Sequence, residues 1–138
     1  EEIAAAAVYL ASVEAAYATG QYLAAEIGKV GPFELLAESD PRTGIPCVTW
    51  RIAEGEDPGY NLFDLADRLR LKGWQVPAYT LTGTASDIAV QRILVRQDVS
   101  RDLASLLLED LRNAIAHFSL HPVAVPMTKE ESTGFNHL

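Results

Sequence analysis

Basic side chains, cysteine and long apolar runs are all scarce in this sequence, and each scarcity narrows what the chain can do. Eleven lysines and arginines stand against nineteen aspartates and glutamates, for a net charge of −8. Such a balance argues against non-specific binding to nucleic acid or to an anionic lipid surface, both of which need a basic face. The single cysteine, Cys47, cannot form an internal disulfide, which fits a reducing compartment. It follows Pro46 inside an apolar run and reads as a buried structural thiol rather than a nucleophile. No stretch reaches the roughly 18 uninterrupted apolar residues of a membrane span. The opening Glu1-Glu2-Ile3-Ala4 lacks the basic start of a signal peptide. It also lacks an initiator methionine, from which a segment of something longer is expected. There is no Gly-rich phosphate loop and no nucleophile elbow.

What is present suits one packed domain: 138 residues, 49% of them apolar and 22% charged. Residues 2–29 read as a long alanine-rich helix, with Ile3, Ala7, Leu10, Val13, Tyr17, Ala24 and Ile27 recurring at helical steps. Gly20 is a weak point costing about 1 kcal/mol against alanine, so a bend or break is expected there. Gly31-Pro32 stops the helix, glycine being able to take a left-handed turn. Phe33–Ala37 and Ile45–Ala53 read as a hairpin across Asp40-Pro41-Arg42-Thr43-Gly44. Asn61 is placed to cap a helix with Asp64 at its third position, and Gly73 ends it. Trp74–Leu81 and Ile88–Val95 read as two further strands, and Ser100 caps a last helix that His121-Pro122 closes. The order α-β-β-α-β-β-α implies an α+β fold, a mostly antiparallel four-stranded sheet with helices over one face. The expected organisation is an N-terminal helix over 1–31, an α+β domain over 32–121 and a flexible tail over 122–138.

Arg92 is the leading candidate for chemistry. Alternation places Ile88, Val90, Arg92 and Leu94 on one apolar face, where a guanidinium needs a partner and its fork matches a carboxylate at two points. A structural acid, or solvent at a strand end, would serve the same side chain equally well. His117 and His121 lie four apart at a helix end, but no Cys, Asp or Glu nearby completes a metal site; an interaction with the helix C-terminal carbonyls is the better reading. His137, the third histidine, is penultimate in a polar tail. It is either an incidental residue of a disordered end or a switch, since imidazole titrates near pH ~6.5. Glu54, Glu56 and Asp57 lack a calcium-loop spacing and read as a solvated loop. Trp74 and Tyr79 flank Pro77 and are expected in the core or at a domain junction.

The run over residues 55–81, Gly-Glu-Asp-Pro-Gly-Tyr-Asn-Leu-Phe-Asp-Leu-Ala-Asp-Arg-Leu-Arg-Leu-Lys-Gly-Trp-Gln-Val-Pro-Ala-Tyr-Thr-Leu, resembles the C-terminal small domain of bacterial glutamate decarboxylase. That family belongs to the fold-type I enzymes that use pyridoxal phosphate (PLP). The resemblance continues through Asp87-Ile88-Ala89-Val90-Gln91-Arg92-Ile93 and Leu106-Leu107-Leu108-Glu109-Asp110. It ends at Gly134-Phe135-Asn136-His137-Leu138, covering roughly residues 22–138. It implies a cytoplasmic lyase of acid resistance that converts L-glutamate to 4-aminobutanoate and CO2. It implies Arg92 as the holder of the substrate α-carboxylate, and His137 as a pH gate with Phe135 as its apolar plug. Of the terminal motif only Phe135 and His137 keep their places.

The family's Schiff-base lysine follows Ser-x-His; Lys29, Lys72 and Lys129 do not, so this segment is expected to be inactive alone and to hold no cofactor. The resemblance implies an N-terminal large domain of the same polypeptide as partner, and a homo-oligomer, dimer or hexamer. A stand-alone regulatory α+β domain binding a small anion or a protein, and a PLP enzyme for another amino acid, are the alternatives.

Overall fold

Two hairpins, whose strands obey period-two alternation, build one sheet, and helical segments with three- and four-residue apolar steps cover it. The computed structural model describes residues 1–132. In chain order the elements are α1 (Glu2–Val30), β1 (Phe33–Glu38), β2 (Cys47–Ile52), α2 (Leu62–Arg70), β3 (Ala78–Thr80), a 3₁₀ turn (Gly83–Ala85), β4 (Ala89–Leu94), α3 (Arg101–Leu120) and α4 (Lys129–Ser132). The strands lie in the order β1-β2-β4-β3, every neighbouring pair antiparallel. The expected α+β class, with helices packed on one face, is borne out.

Local chemistry explains the helix starts. Asn61 has extended backbone; its Oδ1 accepts the Asp64 N–H at 2.8 Å, and Asp64 Oδ2 accepts the Asn61 N–H at 2.9 Å. This reciprocal capping box satisfies two donors that a helix start leaves open. Ser100 caps α3 by accepting the Leu103 N–H at 3.1 Å. Leu107, Leu108, Leu111, Ala114 and Phe118 of α3 then meet Leu62, Leu65 and Leu69 of α2 in one core. Val48, Trp50 and Gln91 are fully buried beneath them.

Helix α1 runs unbroken through Gly20, contrary to the bend or break expected there. The glycine serves a close approach instead: a Cβ on it would lie 2.2 Å from Ser39 Oγ. Ser39 is buried with φ at 62°, and its hydroxyl donates to the Tyr17 carbonyl at 3.2 Å. Gly31 is likewise not left-handed but extended, with φ at −161°. By length and composition α1 could cross a membrane, yet its second half supplies Ala16, Leu23, Ala24 and Ile27 to the core. Residues 2–11 are exposed, Ile3, Val8, Tyr9 and Leu10 among them.

The strand expected over Trp74–Leu81 shrinks to Ala78–Thr80. Pro77 has no N–H to give a ladder. The Trp74 N–H instead closes α2 on the Leu69 carbonyl at 3.2 Å, and the Val76 carbonyl accepts Gln91 Nε2 at 3.1 Å.

Candidate functional site

Strand β4 decides where Arg92 stands. Its partners across β2 are Trp50↔Gln91, Thr49↔Arg92 and Val48↔Ile93. Because residues opposite one another share a face, Gln91 and Ile93 go with buried Trp50 and Val48, under the helices. Arg92 goes with Thr49 to the outer face, where it is exposed. Of the alternating set, Arg92 and Leu94 therefore stand exposed on the side away from the helices, while Val90 on the same face is fully buried. Both alternating sets of this strand are apolar, so periodicity alone does not choose between them.

On that outer face the Arg92 guanidinium carbon lies 5.6 Å from the centroid of the Tyr79 ring. Tyr79 pairs with Val90 across β3 and β4, two residues along from Arg92, so ring and guanidinium meet on the diagonal. Nearby Arg51 is engaged, its Nε donating to Glu34 Oε2 at 2.6 Å. Arg92 has no ion pair with an acid among the described residues. The guanidinium is thus steadied by an aromatic face and left with its donors open to an incoming anion. Cys47, opposite Leu94 at the start of β2, is half-buried rather than buried.

The chain after α3 approaches the same end of the sheet. Val123 N–H donates to the Gly59 carbonyl at 2.9 Å, and Met127 is held twice at the α2 cap. Its N–H donates to Asp64 Oδ1 at 2.9 Å, and its carbonyl accepts Asn61 Nδ2 at 2.8 Å. Lys129 Nζ then reaches Thr80 Oγ1 of β3 at 3.1 Å. This double use of Asn61 and Asp64 escaped the sequence reading, which saw only the cap; no local pattern encodes a contact over more than sixty positions. Phe135 and His137 lie outside the described residues.

The other candidates resolve into structural parts. His117 and His121 place their rings 4.9 Å apart at the end of α3. Burial, the Arg68 charge and His121 together hold the His117 imidazole below its ordinary value. Among the described residues no three His, Cys, Asp or Glu side chains converge as metal ligands. Asp57 Oδ1 accepts the Gly59 N–H at 3.2 Å, a loop contact. Trp74 Nε1 donates to Asp110 Oδ2 at 2.7 Å. Tyr60 stacks on Phe118 at 4.9 Å, and burial pushes its phenol up to about 12.

PLP does not fit these residues by themselves. Lys29 pairs with Glu26 at 3.2 Å, Lys129 is on Thr80, and Lys72 borders only a cleft of about 80 Å³ with Arg68 and Asp110.

The structure is thus an α+β domain with an exposed arginine on the outer face of its sheet. No family model matches the chain. A glutamate decarboxylase of Aliivibrio fischeri is 46% identical over 124 residues, covering 90% of this chain and 26% of that protein. A glutamate decarboxylase of Lactococcus lactis subsp. cremoris is 35% identical over 130 residues, covering 94% of this chain and 27% of that protein. Among solved structures, a glutamate decarboxylase of Lactobacillus brevis superposes with a TM-score of 0.72 at 34% identity, covering 81% of this chain and 24% of that one. The resemblance to bacterial glutamate decarboxylase holds across almost the whole chain. The chain spans about a quarter of the length of these relatives, which is consistent with a C-terminal domain of a larger polypeptide.

Proposed function

We propose that this chain is the C-terminal small domain of a cytoplasmic, PLP-dependent glutamate decarboxylase, which converts L-glutamate and a proton to 4-aminobutanoate and CO2. The observation that carries this reading is the 46% identity sustained over 90% of the chain. Within such an enzyme Arg92 holds the substrate α-carboxylate by two parallel N–H···O contacts, and the Tyr79 ring keeps the guanidinium plane in place. The large domain of the same polypeptide supplies the cofactor site and the lysine, so this segment is inactive alone, and the working enzyme is a homo-oligomer. His137, with Phe135 beside it, closes the site toward neutral pH.

The test is CO2 release from L-glutamate by the full-length protein with PLP, from about pH 4 to about pH 8. Activity that peaks in acid and fades toward neutrality is expected. Arg92→Gln should lower kcat/KM about a hundredfold or more at an unchanged melting temperature, because the contact is charged and two-pointed while the side chain is exposed. Arg92→Gln within about threefold of wild type would remove Arg92 from the substrate. Release from another amino acid but not from glutamate would keep the domain and replace the substrate.

A further inference from the structure

The capping box at the start of α2 does more than begin a helix. Asp64 is 7% exposed, and a buried carboxylate must have its oxygens satisfied. Oδ2 takes the Asn61 N–H within the cap, and Oδ1 takes the N–H of Met127, more than sixty positions away. Asn61 divides its amide in the same way: Oδ1 caps Asp64, and Nδ2 donates to the Met127 carbonyl. Both polar groups of one peptide unit pair are therefore gripped by the two cap side chains. Beyond Met127 the chain begins a new turn with a reciprocal pair of its own: Thr128 N–H to Glu131 Oε2 at 2.8 Å, and Glu131 N–H to Thr128 Oγ1 at 3.2 Å. Lys129 then ties that turn to Thr80, next to the Tyr79 that supports Arg92.

We propose that Asn61 and Asp64 form a latch that fixes where the C-terminal segment leaves the domain, setting it down beside β3, the edge strand next to the one that carries Arg92. They are positioning residues, acting through the backbone of Met127. The consequence for activity, that the latch sets how readily the last residues reach the site, rests on the gate reading given above.

Asn61→Ser separates the two duties, since serine caps a helix about as well as asparagine but lacks the amide donor. In the full-length protein, deuterium exchange read by mass spectrometry over residues 122–132 should rise about tenfold, with tryptic cleavage after Lys129 quickened. Exchange within α2 should stay within about twofold of wild type. Asp64→Ala, which removes one of the two bonds of the cap and one of the two of the latch, should loosen both segments. Asn61→Ser at wild-type exchange in 122–132, or loosening α2 as much as the tail, would overturn the latch. The pH–activity profile separates it from the gate: a tail loosened with no change of profile leaves the latch standing and removes the gate, whereas activity extended toward neutral pH supports both.

Discussion

The two faces of the sheet obey the same period and serve opposite ends. Beneath the helices Val48, Trp50 and Gln91 are fully buried, and Trp50 meets Phe33 at 6.3 Å. On the other side Arg92 and Leu94 are exposed, and Arg51 and Glu34 pair across neighbouring strands. One face is built so that nothing can be removed without a hole; the other carries charge, an aromatic shelf and open donors. The difference teaches that packing and exposed charge are separated here by single steps along β4, Gln91 turned inward and Arg92 outward.

Substitutions should reproduce that division. Trp50→Ala should cost about 3–5 kcal/mol in denaturant unfolding, the range for losing a buried large aromatic. A cost under about 1 kcal/mol would mean that the covered face is not tightly packed. Gly20→Ala comes next, at about 1–3 kcal/mol, because the added methyl meets Ser39 Oγ at 2.2 Å. Pairing it with Ser39→Gly should recover part of the loss; no recovery would place the strain elsewhere. Tyr79→Leu should be the mildest, changing stability by less than about 1 kcal/mol and weakening Arg92's hold on an anion only a few-fold. A large loss of stability there would erase the contrast between the faces.

Much of the fold was legible because its signals are local. Asn61 with Asp64, and Ser100 before its leucines, mark helix starts within four residues, and the hairpin turns announce themselves through proline, glycine and aspartate. What escaped depends on neighbours distant in sequence. Gly20 looked like a weakness because only Ser39, nineteen positions on, explains it. Arg92 was found, but its face was not, since Ile88 and Val90 on one side and Ala89 and Ile93 on the other are equally apolar. The arginine's lack of an acid partner among the described residues, and its seat over Tyr79, belong to strand pairing rather than to spacing. The short β3 was misjudged for a similar reason: Pro77 was visible, but the use of the Val76 carbonyl by Gln91 was not.

Helix α1 packs unevenly along its length. Its buried residues begin at Ala16, Ser12 and Val13 are half-buried, and residues 2–11 are exposed. From Ala16 to Glu2 an α-helix extends about 21 Å, so a rotation of about 10° at that fulcrum would swing the tip about 4 Å. The close seat of Gly20 against Ser39 fixes the line of that half-helix, so that a change of angle at this contact is magnified toward Glu2.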